Sequence, residues 1–197
     1  ARKEEDGRHF LRIEKGQNID MGAIAKGYIG QKLADRLKKE GAKHALLDLG
    51  GNVVAVGEKY ENHPWRVGLQ RPDQTRGAYF AVVSANDESV ITSGAYERNF
   101  EKDGKKYGHI LSAKTGRPVA TDLSSVTILD KNGARADALC TALFGMGVSA
   151  AERFLEAHPD VHAVLLSSDM KTALVSDAIK DRVRVTDPEI VVKIIKH

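Results

Sequence analysis

Along residues 22–40, Ile24, Tyr28, Ile29, Leu33 and Leu37 recur at steps close to four, a period that predicts a helix stopped by Gly41. Runs of strand character follow it. Residues 44–49 and 53–56 read as two strands around Gly50-Gly51-Asn52, a turn-forming insert of the hairpin kind. Further strands are predicted at 65–69, 78–84, 89–92, 106–111 and 124–129, with a tight turn at Lys114-Thr115-Gly116-Arg117-Pro118. A second helix is expected over 135–146 and a third over 149–157, the latter ended by His158-Pro159. Strands at 162–167 and 171–175 complete the pattern. With no repeat, low-complexity stretch or linker, residues 1–197 predict a single α+β domain in which a mainly antiparallel sheet packs with helices.

Composition narrows the function classes. A chain of 197 residues, 42% hydrophobic and 29% charged, can bury a full core and is not of disordered, collagenous or coiled-coil type. Its apolar runs fall far short of the roughly 20 residues needed to cross a bilayer. The net charge is only +3, with basic residues scattered among acids, a weak electrostatic case for nucleic acid. The single Cys140 rules out an intramolecular disulfide and any multi-cysteine metal centre, and leaves the compartment open.

Candidate chemistry is concentrated in a few places. On the second helix Leu139, Ala142, Leu143 and Met146 form one stripe, and Asp137, Cys140, Thr141 and Phe144 lie opposite, so both faces are expected to be partly buried. A carboxylate and a hydroxyl one turn apart in such a place need partners. A bound cation is one solution; an aspartate held by free N–H groups at a helix start, with Thr141 bonding back to a helix carbonyl, is the other. The small residues of Asp20-Met21-Gly22-Ala23-Ile24-Ala25-Lys26-Gly27-Tyr28 suit either close approach of an anionic ligand to a helix start or plain packing against a strand. His109 is a general base or a structural histidine, and Thr92-Ser93-Gly94 a phosphate-facing loop or a turn. No Walker loop, dinucleotide fingerprint or nucleophile elbow occurs.

Taken in order, the segments Asp20 to Tyr28, Leu49-Gly50-Gly51-Asn52, Thr92-Ser93-Gly94-Ala95-Tyr96-Glu97-Arg98, His109-Ile110-Leu111, Lys114 to Pro118 and Ala136-Asp137-Ala138-Leu139-Cys140-Thr141 resemble those of ApbE-like FAD:protein FMN transferases. The resemblance implies a magnesium-dependent enzyme with a T-fold-like architecture that cleaves FAD and attaches its FMN half to a threonine of an acceptor flavoprotein, releasing AMP. It implies metal ligation by the Ala23 carbonyl, the Asp137 carboxylate and the Thr141 hydroxyl, an all-oxygen set of the hard kind that suits magnesium. It places FAD contacts at Asp20, Lys26 and the backbone near Leu111, and His109 is assigned as the base that takes the acceptor proton, beside Asp137 in the catalytic set.

Two departures from the family pattern stand out. Ser112-Ala113 replaces an acidic or amide residue followed by proline, and Cys140 stands where some members carry an extra acidic ligand. The family also has a substantial portion upstream of the Asp20 motif that adds flavin contacts, so residues 1–197 are expected to be the C-terminal part of the full family domain. The competing functions are a magnesium-dependent FAD pyrophosphatase giving FMN and AMP, with water replacing the acceptor, and a non-catalytic flavin-binding or docking module. The resemblance further implies an extracytoplasmic setting at a membrane surface, attachment there through upstream sequence, and scope for a homodimer. Asp137→Ala is expected to abolish magnesium-dependent turnover at little cost to the fold.

Overall fold

Successive residues of the central strands enter two different cores. The computed structural model describes residues 2–94, 99–102 and 105–196. In it the strands are β1 (Arg2–Glu5), β2 (Arg8–Leu11), β3 (Ala45–Asp48), β4 (Asn52–Val56), β5 (Trp65–Gln70), β6 (Tyr79–Ala85), β7 (Ser89–Gly94), β8 (Asn99–Lys102), β9 (Lys105–Gly108), β10 (Leu123–Asp130), β11 (His162–Ser167), β12 (Thr172–Ser176), β13 (Val183–Val185) and β14 (Val191–Ile195). The helices are α1 (Ala25–Lys39), α2 (Gly133–Met146) and α3 (Val148–Ala157). Seven strands form one sheet in the order β14-β12-β11-β10-β7-β4-β3, and β13-β6-β5 form a smaller one. Val90, Leu129, Val164, Leu166, Ala173 and Val175 pack with Val67, Leu69, Phe80 and Val83 of the small sheet. Their neighbours Ile91, Ile128, Ala163, Leu165 and Leu174 pack with Ala136, Cys140, Leu143 and Phe144 of α2 and with Ala151 and Leu155 of α3. The period of two thus builds a three-layer stack with the large sheet in the middle.

The expected α+β class is found, with two changes to the sheet. Strand β14 lies parallel to β12, so the large sheet is mixed, although all its other pairs are antiparallel. After β12 a 3-10 turn, Asp177–Arg182, and β13 carry the chain to the small sheet, where Val183 pairs with Val83. The chain then returns to enter β14 in the direction of β12. Arg182 anchors this excursion by donating to the Ser84 carbonyl at 2.8 and 3.1 Å and to Glu88. The strands β1, β2, β8, β13 and β14 were not expected from the sequence. Of these, β1 and β2 pair through Asp6-Gly7, both in the left-handed region, and Phe10 and Leu11 remain exposed.

The first helix forms where its period predicts it, but not with the expected face inward. Tyr28, Ile29 and Leu33 are 53%, 51% and 44% exposed, whereas Gly27, Gly30 and Ala34 are buried. Close approach explains the inversion. A Cβ on Gly27 would collide with the Gly133 carbonyl and stand 2.8 Å from the Asp137 Cβ, and a Cβ on Gly133 would collide with the Gly27 carbonyl. The two helix starts therefore meet backbone to backbone, and Gln31 adds its Oε1 as acceptor for the Gly133 N–H at 2.9 Å. At the other end of α1, Lys38 pairs with Asp87 at 2.6 Å. Partial burial raises the Asp87 carboxyl, but Lys38 and the Gly57 N–H outweigh it and hold the group below its ordinary value. A lowered carboxyl contributes stability above its unfolded value near pH 4, and loses it as pH falls through the folded value.

Gly27→Ala tests the crossing. Alanine gains about 1 kcal/mol of helix propensity, yet overpacking against backbone that cannot yield costs about 3 kcal/mol or more. A net loss of about 2 kcal/mol is expected by urea denaturation. Gly30→Ala meets only the ends of the Val54 and Leu49 side chains and should lose less; equal losses at the two positions would show that backbone contact is not the limit.

Candidate active site

Asp137 sits five residues into α2 and is 3% exposed. Asn132 caps that helix by accepting the Arg135 N–H at 3.0 Å, which fixes where the first turn begins. The crossing at Gly27 and Gly133 then brings the carboxylate against the first turn of α1, and Asp137 Oδ2 accepts the Gly27 N–H at 2.8 Å. A regular helix would turn that N–H back onto the Ala23 carbonyl. Instead Ile24 and Ala25 bond back to Met21, the next bond runs from Tyr28 to Ile24, and α1 begins only at Ala25. The Ala23 carbonyl is thereby released from helical pairing, beside the one buried carboxylate of α2. Of the two sequence readings of Asp137, the helix-start account holds in part, but the helix it serves is α1 and not its own.

Thr141, one turn further along α2, is half-buried, and its Oγ1 lies 3.4 Å from Ser93 Oγ on β7. Cys140 takes the opposite course. Its buried Sγ accepts the Ser93 N–H at 2.9 Å and lies 2.8 and 3.3 Å from the Val126 and Ile91 carbonyls, so it fastens α2 to β7 and β10. Thr92 pairs across the sheet with Thr127, Oγ1 to Oγ1 at 2.9 Å.

A cleft of about 610 Å³ opens beside this cluster. Lys26 lines it from α1, together with the Asp48-Leu49-Gly50-Gly51 turn, the apolar Val53, Val67, Leu69 and Val90, and Arg76, whose guanidinium is 3.9 Å from the Asp48 carboxylate. The turn is held by Asp48, whose Oδ1 accepts the N–H groups of Gly50 and Gly51 at 3.0 and 3.3 Å, both glycines being left-handed. Asp20 makes a local turn by accepting the Gly22 N–H at 2.6 Å.

His109 lies just past β9, rather than on the expected strand, and faces solvent. It lines a small hollow with Gly94, Gly108, Ile110, Val119 and Phe144, the last of which is on α2 three residues beyond Thr141. Leu111 is 59% exposed in the hairpin-like loop that follows, where it pairs with Pro118 and Gly116 supplies the left-handed turn. Residues 95–98 of the segment that begins at Thr92 lie outside the described residues.

The structure thus joins Asp137 directly to the segment of Ala23 and Lys26, and sets Thr141 against Ser93. His109 stands instead beside Phe144 on the later part of α2, and Leu111 is in the exposed loop beyond it. Sequence reasoning gave Asn52 no role, yet it is buried and its Nδ2 donates to Asp137 Oδ2 at 3.4 Å. The signal available was a lone amide at the head of the apolar strand Asn52-Val53-Val54-Ala55-Val56.

The candidate donors on these elements, a carbonyl released from helical pairing, a carboxylate and a hydroxyl, are oxygens only, a chemistry that fits a hard cation such as magnesium. Among the described residues no group of three or more His, Cys, Asp or Glu side chains forms an alternative metal centre.

The model of the ApbE family matches residues 2–165. The FAD:protein FMN transferase of Treponema pallidum is 41% identical over 188 residues, covering 91% of this chain and 52% of that protein. A FAD:protein FMN transferase of Klebsiella pneumoniae is 37% identical over 163 residues, covering 83% and 50%. The crystal structure of the ApbE protein from Thermotoga maritima superposes with a TM-score of 0.81 at 28% identity, over 92% of this chain and 58% of that one. The chain spans about half the length of the curated relatives it matches.

Burial changes the expected outcome at Asp137. Asp137→Ala leaves the Gly27 N–H and the Asn52 amide without their acceptor, at about 1–3 kcal/mol for each orphaned donor. In chelator, Asp137→Ala should therefore lose about 2 kcal/mol or more by urea denaturation, while Asp137→Asn, which keeps an acceptor oxygen, should stay within about 1 kcal/mol of the parent. Equal stability of the Ala variant and the parent would show that the carboxylate does not hold the crossing.

Proposed function

Because the chain belongs to the ApbE family, we propose that it carries the magnesium-dependent transfer of the FMN moiety of FAD to a threonine hydroxyl of an acceptor flavoprotein, with release of AMP. The observation that carries this reading is the diverted Gly27 N–H, which binds Asp137 and leaves the Ala23 carbonyl out of the helical ladder at the start of α1. Ala23, Asp137 and Thr141 would hold the ion. A bound magnesium ion supplies neutralisation of pyrophosphate charge, which makes AMP a better leaving group.

The chain's own groups divide the remaining work. Lys26 offers an ammonium to the phosphates from the wall of the cleft. Asp20 and the backbone near Leu111 bracket the dinucleotide at either end of the site. His109, exposed beside α2, takes the proton from the acceptor threonine as the new phosphorus–oxygen bond forms and the bond to AMP breaks. That exposure admits water as well, so hydrolysis of FAD to FMN and AMP is the slower reaction expected without acceptor.

Phe10 and Leu11 on β2, and Tyr28, Ile29 and Leu33 on α1, are exposed apolar residues suited to cover by further polypeptide. Residues 1–197 act in this reading as one domain whose flavin pocket is completed by such cover. The family resemblance supports an extracytoplasmic, membrane-surface setting.

Incubation with FAD, magnesium and an acceptor domain, followed by weighing the acceptor, is the direct test. A magnesium-dependent FMN adduct on a threonine is expected, and Thr141→Val should raise the magnesium concentration needed. Release of AMP with the acceptor unmodified would identify the pyrophosphatase, and neither product would leave the docking module.

Lys26 is tested by FAD fluorescence titration. Lys26→Ala should weaken FAD binding about tenfold or more, the loss of one charge-assisted contact of about 1.5–3 kcal/mol, while magnesium affinity changes little. Unchanged FAD affinity would make Lys26 a wall residue only. Supplying the unmatched half of a relative in trans should strengthen FAD binding; no change would argue against a shared pocket.

A further inference from the structure

Asn52 is 1% exposed, and its Oδ1 is a buried side-chain polar atom with no hydrogen-bond partner among the described residues. Buried polar groups are nearly always paired, so an orphan of this kind needs a reason. The orientation of the amide is fixed by its neighbour. Nδ2 faces the Asp137 carboxylate at 3.4 Å, and turning the amide over would set two acceptors against each other. Oδ1 therefore cannot escape its isolation by exchanging places with Nδ2. Among the described residues both donors to Asp137, the Gly27 N–H and the Asn52 amide, go to the same carboxylate oxygen, Oδ2. The other oxygen is left for a ligand.

We propose that Asn52 is a positioning residue of the magnesium site: its amide, together with the Gly27 N–H, holds Asp137 Oδ2 and so leaves the carboxylate's Oδ1 for the ion. The inference rests on the magnesium reading of the Asp137 site given above. The fold keeps Nδ2 on the carboxylate even though this leaves Oδ1 of Asn52 without a partner among the described residues. Outer-shell partners of this kind orient the ligating group, and their removal typically costs 10- to 100-fold in metal affinity. The Gly50-Gly51 turn immediately before Asn52 accounts for its placement. It reverses the chain beside the cleft, and the first residue of β4 then enters the space under α1.

The test measures magnesium affinity by calorimetry on the parent, Asn52→Leu and Asp137→Asn, with the metal-free melting temperature of each. Asn52→Leu replaces the amide with an apolar side chain of similar size and is expected to weaken magnesium binding about 10- to 100-fold with little change in the metal-free melting temperature. Should it fail to fold, Asn52→Ala provides the same comparison. A lowered metal-free melting temperature with unaltered magnesium affinity would make Asn52 structural and overturn the proposal. So would unaltered affinity at unaltered stability. If Asp137→Asn binds magnesium as the parent does, or the parent binds none, the magnesium reading itself fails; if Asp137→Asn loses the ion and Asn52→Leu keeps it, only the role of Asn52 fails.

Discussion

The contact between Gly27 and Gly133 is the constraint on which the rest of the site depends. Two helix starts approach so closely that neither position can carry a side chain. Only at that separation can a short aspartate on one helix reach the backbone N–H of the other. The same reach takes Gly27 out of its own helical ladder and leaves a carbonyl without its helical partner. Glycine is a poor helix former, and its presence within the first turn of both helices is offset by what the close approach permits.

The sheet beneath supplies the rigidity. Period-two alternation commits one side of the large sheet to the small sheet and the other to α2 and α3, so α2 is held by Ala136, Cys140, Leu143 and Phe144 along its length. Cys140 adds polar contacts to β7 and β10 from the same face. A helix fixed this way cannot rotate to relieve the carboxylate at its start. The adaptation to Asp137 is made by α1, the element with the smaller buried face, whose Gly27 N–H turns to the carboxylate.

Most strands and all three helices were legible in the sequence, because short apolar runs such as those of β11 and β12 and the stops of the helices are local signals. The face of α1 was not. Its large apolar residues repeat at helical spacing and suggest burial, but the decisive residues are the small ones, and the need for close approach comes from a helix more than a hundred positions away. The β12–β14 pairing was hidden for a related reason: its parallel sense follows from the excursion of β13 to another sheet. In the site, the pairing of Asp137 with Thr141 on one helix was readable from spacing, whereas the acceptance of an N–H from α1 and the entry of Asn52 are tertiary facts.

The electrostatics of α1 bear on what can bind at its start. Small residues before a helix read as an anion site, since free N–H groups and the helix dipole both favour negative charge. Here that position is already served by a carboxylate. A phosphate brought to about 4 Å of Asp137 would meet a repulsion of about 4 kcal/mol at an effective dielectric of about 20, more than the roughly 0.3–1 kcal/mol that a helix terminus usually returns. The anion is disfavoured at this end of α1 unless positive charge intervenes. Lys26 supplies one such charge from the cleft wall, and a divalent cation between carboxylate and phosphate turns the repulsion into two attractions. The buried acid would oppose a phosphate at this end of α1 unless Lys26 or a cation stands between them, and that is the electrostatic ground on which the proposed reaction depends on Asp137.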